Sequence, residues 1–207
     1  MRARRRSALL ASCLALLAAG AAVADDRPLI GPRARTYAVF LEAQNLLLAG
    51  RADEAARLLD AAVSADPDPG LLLEAARMHE LLGEPDQALP LADRALLARP
   101  GWPEALVLRA GLRLDRDDEP APEHRLASLA DLRVALATDP SSEEGARRLA
   151  AICAGSDCAG EAARVLEAQR ANRVLPVDLA LALARLDLEI GKVEECRAIL
   201  TEILQRD

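Results

Sequence analysis

Residues 50–67 read Gly50-Arg51-Ala52-Asp53-Glu54-Ala55-Ala56-Arg57-Leu58-Leu59-Asp60-Ala61-Ala62-Val63-Ser64-Ala65-Asp66-Pro67. Residues 83–100 repeat the plan: Gly83-Glu84-Pro85-Asp86-Gln87-Ala88, then Leu91 onward to Pro100. Each stretch opens on glycine, which a helix accepts as the left-handed residue that ends it. Acids follow at once, where the positive end of the next helix dipole favours them. Ala and Leu recur at helical spacing, and proline closes the stretch because it cannot continue a helix. Each therefore reads as a turn and the second helix of a helix–turn–helix unit.

The period extends along the chain. Ala43, Ala76, Ala110, Ala150 and Ala184 are separated by 33, 34, 40 and 34 residues. A second small-residue series, Ala55, Ala88, Ser128, Ala162 and Cys196, has gaps of 33, 40, 34 and 34. A third runs four residues later through Leu59, Ala92, Leu132, Leu166 and Leu200. Both gaps of 40 span Asp115-Arg116-Asp117-Asp118-Glu119-Pro120-Ala121-Pro122, so one charged, proline-containing insertion explains both. Internal repetition at this length signals a solenoid of helix pairs. Gly191 and Pro140 mark further helix ends. Small residues are needed where two helices cross closely, since a larger side chain there overpacks at a cost of about 1–3 kcal/mol. A single pair cannot bury its apolar faces; stacking of neighbours supplies the core.

This pattern resembles the tetratricopeptide repeat family. The resemblance covers residues 34–207, with repeats expected near 34–67, 68–101, 102–140 (inserted loop 115–122), 141–175 and 176–207. It implies an all-α, right-handed superhelical solenoid of about five antiparallel helix pairs. The first two repeats match best. In the fourth, Gln169 stands where a small residue is usual, and the closing proline is displaced to Pro176. The large aromatics common in the first helices are replaced by Val39, Leu72 and Leu106. The fifth repeat stops at Asp207, about where its closing proline would come, leaving Ile199, Leu200, Ile203 and Leu204 expected on an uncovered face, which a capping partner or a second copy would cover unless the chain is truncated.

Composition agrees with the helical reading. Hydrophobic residues make up 52%, enough for a core, but the only rings are Tyr37, Phe40 and Trp102. Ala and Leu favour helix over sheet. Net charge is −7 over the whole sequence. Residues 1–24 carry four arginines and no acid; without them 22 basic face 33 acidic side chains, near −11. Such a surface repels nucleic acid, which is not expected as a partner.

The opening Met1-Arg2-Ala3-Arg4-Arg5-Arg6, the apolar run from Ala8 to about Ala19 and Ala22-Val23-Ala24 have the three parts of a secretory signal. Residues 1–24 are expected to be a signal peptide, 25–33 a linker, and the mature chain free of a transmembrane span. The destination is periplasmic or extracellular; a signal anchor, or a lipid on Cys13, is the alternative.

In the resembling family, first helices line a concave surface. The resemblance places Tyr37, Phe40, Gln44 and Leu47 there from the first repeat, then Leu73, Arg77 and Glu80. Glu104, Val107 and Gly111 follow, then Glu144 and Arg147, then Asp178, Leu181 and Arg185. A protein or peptide partner is expected in this groove, with apolar anchors near Phe40 and charge pairing further along. Tyr37 and Phe40 could equally cap the first helix. The groove has no lysine and no asparagine set to clamp a terminal carboxylate.

The remaining chemistry is sparse. His79 reads as a core residue between paired helices, and His124 as a solvated neighbour of the insertion. They have no third ligand at metal spacing, and Glu80 beside His79 does not make a metalloprotease motif. The acidic insertion lacks the alternating ligands of a calcium loop. Cys153 and Cys158 flank the turn of the fourth pair and are candidates for a disulfide in an oxidising compartment; Cys196 reads as a small packing residue. Trp102 reads as packing over the junction of repeats two and three. No phosphate loop, dinucleotide fingerprint or nucleophile elbow is found. Neither a catalytic site, a metal nor a cofactor is expected. The expected function is a non-catalytic interaction scaffold in the cell envelope. Alternatives are a homo-oligomeric structural protein joined through its last helix, and an accessory or truncated repeat region of an envelope enzyme complex.

Overall fold

A computed structural model of the protein describes residues 32–116 and 121–206. The expected signal peptide, most of the linker and the centre of the inserted loop lie outside them. From Thr36 on, the helix pairs described below lie within one compact unit.

Ten α-helices and no strands occur among the described residues. They are α1 (Pro32–Leu48), α2 (Ala52–Ala65), α3 (Pro69–Leu81), α4 (Pro85–Ala98), α5 (Pro103–Asp115), α6 (Pro122–Thr138), α7 (Glu143–Cys153), α8 (Ala159–Asn172), α9 (Val177–Glu189) and α10 (Val193–Leu204). They form five successive pairs, an all-α helical-repeat solenoid. The first helix starts at Pro32, two residues ahead of the expected start of the array.

Local chemistry sets the helix limits. At the start of α3, Asp68 accepts the N–H of Gly70 at 2.8 Å, and Pro69 occupies the first helical position. Replacing such a cap by Ala typically costs about 1 kcal/mol. The helix ends through Gly83, whose φ of +73° is the left-handed region, and the Glu84 N–H donates to the His79 carbonyl at 2.8 Å. Ser142 caps α7 by accepting the Gly145 N–H at 3.1 Å.

All ten residues of the two small-residue series are buried; Ala76, Ala110, Ala55, Ala88, Ser128 and Ala162 are 0% exposed. Two of them meet directly: the Ser128 hydroxyl of α6 donates to the Ala110 carbonyl of α5 at 3.0 Å. Beside the crossings, Leu59, Leu132 and Leu166 are fully buried. Each contributes about 1.5–3 kcal/mol relative to exposure. Leu91 touches both the buried cluster at the amino-terminal pairs and the larger one that follows, so the core runs on between them.

The last helix differs from expectation. Ile199, expected on an uncovered face, is 2% exposed, because Cys196 and Ile199 form the stripe of α10 that packs on α9. Leu200 and Leu204 are exposed at 41% and 76%. Gln169 is buried where a small residue is usual. Its amide donates to the Pro140 and Ser142 carbonyls at 2.8 and 3.1 Å, satisfying the turn between the third and fourth pairs.

Candidate functional site

The order of helix contacts identifies the inner surface. Among the first helices, α3 meets α5, α5 meets α7, and α7 meets α9. No second helix from α2 to α10 packs against the next second helix. Helices that touch in succession form the tighter row, so the first helices line the concave side.

That row brings several predicted residues together. Arg77 and Glu80 of α3, Glu104 and Val107 of α5 and Glu144 of α7 line one cavity of about 150 Å³. Arg148, which sequence reasoning missed, lines it too. Its guanidinium donates from Nη2 to Glu80 at 2.9 Å, from Nε to Glu144 at 2.6 Å, and from Nη1 to Asp115 at 3.4 Å. One side chain thus ties three first helices, α3, α5 and α7, across the concave face.

Gly111 makes room for this. A Cβ there would lie 1.5 Å from Arg148 Nη1, so the guanidinium rests on bare helix backbone. The Arg148 side chain is 19% exposed, so its three carboxylates act in a less screened setting than a surface pair. Exposed pairs typically contribute about 0–1 kcal/mol. Burial lifts the Glu80 carboxyl above its ordinary range; Arg148 opposes the rise, and the nearby Asp115 and Glu144 charges add to it. Two signals for Arg148 were present in the sequence: its spacing of four from Glu144, and a glycine inside a facing helix.

Further along, Arg147 donates to Asp178 of α9 at 2.8 Å and also pairs with Glu144. The hydrogen bond from Arg147 holds the Asp178 carboxyl below its usual range. Arg185 pairs with Glu189, and Leu181 is 46% exposed. At the other end Tyr37 is 63% exposed, while Phe40, Gln44 and Leu47 are half-buried, with Leu47 against the amino-terminal core. Two expected groove residues lie deeper. Leu73 is 2% exposed and belongs to the core; Val107, at 6%, forms cavity floor. Both sit where neighbouring first helices meet, so helix packing covers them.

Other expectations find their places. His79 is 4% exposed, with Nδ1 at 2.8 Å from Glu84 and Nε2 at 3.1 Å from Asp60. Burial alone lowers its pKa, but the bonds and charges of Glu84 and Asp60 outweigh it, and the pKa stands raised. His124 is half-buried rather than solvated. Cys153 and Cys158 are joined by a disulfide. Trp102 packs half-buried against the core, with the Arg99 guanidinium 4.6 Å from its ring centroid. Among the described residues, no group of three His, Cys, Asp or Glu could hold a metal ion. No described helix is long and apolar enough to cross a membrane.

The molecule is thus a helical-repeat protein with a charged inner face. Its particular fold is that of the tetratricopeptide repeat proteins. The MamA fragment from Desulfovibrio magneticus RS-1 is similar over 85% of this chain and 96% of that one, with a TM-score of 0.68 and 16% identity. TTC0263, a thermophilic TPR protein in Thermus thermophilus, is similar over 82% of this chain and 90% of its own, with a TM-score of 0.61 and 21% identity. For a tetratricopeptide repeat protein from Parabacteroides merdae the shares are 84% of this chain and 66% of that one, with a TM-score of 0.63 and 19% identity. No family model and no curated protein matches the sequence.

Proposed function

We propose that this protein is a non-catalytic interaction scaffold of the cell envelope, which holds a segment of a partner protein along its concave face. The observation that carries the reading is the convergence of charged side chains from three consecutive pairs on one cavity, with Arg148 at its centre. A surface with rows of charge across several repeats suits an extended or helical segment that contacts each repeat in turn. Tyr37 and Phe40 supply apolar contact at one end; Arg77, Glu104 and Arg147 supply charge along the middle.

Export rests on the leader pattern of residues 1–24 and is supported by the Cys153–Cys158 bridge, since disulfides persist in oxidising compartments. The fold similarity is consistent with a binding role, but the function is argued from the groove.

The test is capture of a partner from envelope extract by the immobilised protein. Phe40→Ala and Arg77→Glu variants are expected to lose the captured protein while keeping their helical circular dichroism. Capture retained by both would remove the concave face as the binding surface.

A further inference from the structure

Second helices do not pack on one another, so furrows run between them on the outer side. The furrow between α6 and α8 holds a cavity of about 690 Å³. That volume is within the range of sites that hold ligands. Leu126, 68% exposed, and half-buried Leu129 lie on one wall, and Ile152 of α7 with Cys158 at the back. Arg125, Arg133 and Arg164 also line it. So do Asp157 and Glu161.

The next furrow, between α8 and α10, is a natural comparison. Its cavity of about 500 Å³ also has three arginines, and each is closed by a carboxylate. Arg170 pairs with Glu202 at 2.6 Å, Arg173 with Glu143 at 2.5 Å, and Arg206 with Glu202. In the α6/α8 furrow, among the described residues, only Arg133 is closed in this way, by Glu161 at 2.8 and 2.6 Å. Arg125 and Arg164 are exposed, and their hydrogen bonds go to main-chain carbonyls of Ile152 and Gly160, both at 3.2 Å. A carbonyl does not neutralise a guanidinium; the Glu161 charge acts on Arg164 only through space, with no hydrogen bond between them among the described residues. Asp157 makes no ion pair with either arginine among the described residues. Two open guanidiniums flanking exposed leucines, in a chain of net charge −7, form a local surface of the opposite sign.

We propose that the furrow between α6 and α8 is a second docking surface, which takes a short acidic and apolar segment of a partner protein. Carboxylates of the segment pair with Arg125 and Arg164, where bidentate geometry favours them. A Leu-sized side chain covers Leu126 and Leu129. None of the furrow's lining residues lines the groove cavity around Arg148, although Arg125 and Ile152 border a smaller cavity that Arg148 and Asp115 also line.

The probe is a fluorescein-labelled peptide, acetyl-Glu-Asp-Leu-Leu-Asp-Glu-amide, with a Lys-for-acid counterpart as control. Fluorescence anisotropy with the full mature chain is expected to show saturable binding of the acidic probe only. Binding should weaken about tenfold or more in Arg125→Glu/Arg164→Glu, and also when salt rises from about 50 to about 500 mM. Both arginines are exposed, and circular dichroism checks that the variant stays folded. Phe40→Ala and Arg77→Glu should bind the probe like the parent, which separates this surface from the groove. Equal binding by the parent and the double arginine variant would overturn the proposal. So would absence of binding at millimolar probe, or loss of binding in the groove variants. Sedimentation that shows a dimer in the parent and a monomer in the arginine variant would give the furrow to a second copy instead, and would also overturn it.

Discussion

At the corner between α3 and α4, His79 in the last turn of the first helix meets Glu84, five residues on at the N-cap of the second, at 2.8 Å. At the corner between α7 and α8, the same two positions are Cys153 and Cys158, and they are covalently bonded. The position recurs as Leu46, His79, Arg113, Cys153 and Asp187, each three residues after an alanine of the first series. The backbone explains why the chemistry changes. In three corners the N-cap N–H donates back to this residue's carbonyl: Arg51 to Leu46 at 2.9 Å, Glu84 to His79 at 2.8 Å, and Lys192 to Asp187 at 2.7 Å. No such bond joins Cys158 to Cys153 among the described residues, because the glycine of that turn comes two residues after the position instead of four. The disulfide spans the two residues that the hydrogen bond joins elsewhere. The register of the corner is what the fold requires; the means of holding it can vary.

The largest expected effect comes from breaking the covalent corner. Reduction of Cys153–Cys158 opens a short loop, whose closure contributes about 2 kcal/mol on the chain-entropy account. Urea unfolding with and without dithiothreitol reads this directly, and the midpoint temperature should fall by about 4–8 °C. A Cys153→Ala/Cys158→Ala variant should match the reduced parent and no longer respond to reductant. An unchanged parent would mean that packing alone holds the corner.

The ion-pair corner should respond to pH instead. The His79 pKa is raised in the fold, so its proton stabilises the native state fully below the ordinary histidine value of about 6.5. That contribution disappears as pH climbs through the higher folded value. His79→Gln is expected to cost about 1–2 kcal/mol at pH 6 and less at pH 9. The parent should lose more stability than the variant between these two pH values, and reductant should not alter that difference. A pH-independent cost would reduce His79 to a packing residue.

The turn glycines give a smaller effect. Gly83 and Gly191 have φ of +73° and +82°, and nothing lies within 4 Å of an added Cβ at either. Ala at each should cost about 1 kcal/mol, from backbone strain alone, with the two values nearly equal. A markedly unequal pair of urea midpoints would show that the two turns are not equivalent.

The sequence made the helix pairs legible because glycine, proline and small residues have few physical alternatives at those sites. Two series with shared gaps located even the insertion. The concave site was legible only in part. The family resemblance, with helical spacing, placed Arg77, Glu80, Glu104 and Glu144 on one surface, but it could not show how deep each side chain sits. Leu73 occupies the same stripe as Arg77, four residues away, yet the adjoining helix covers it. Arg148 escaped notice because its reach depends on a long side chain crossing Gly111, a contact between two repeats that spacing within one repeat does not encode. The corner chemistry was hidden for a different reason. Leu, His, Arg, Cys and Asp share no hydrophobicity, so a search for apolar periodicity passes over them.

Asp187 offers the finest test of the comparison, because its corner looks like that of His79 and should behave in the opposite way. The carboxyl is 1% exposed, and Oδ1 has no hydrogen-bond partner. Lys192 Nζ stays 4.0 Å away, drawn to Glu167 at 2.6 Å. Burial raises the Asp187 pKa, Lys192 opposes this, and Glu167 and Glu195 add to the rise. The protonated form is therefore favoured by folding. Its contribution is complete below the ordinary aspartate value of about 3.9 and is lost as pH rises through the folded value, above which the charge is a net cost. Asp187→Asn should raise stability by about 0.5–1 kcal/mol at pH 7, and the gain should shrink towards zero near pH 4. Urea unfolding of both proteins across that range measures it. A loss at pH 7 comparable to that of His79→Gln at pH 6 would make Asp187 and Lys192 a true staple, and this corner would then rest on its ion pair more than on the backbone hydrogen bond.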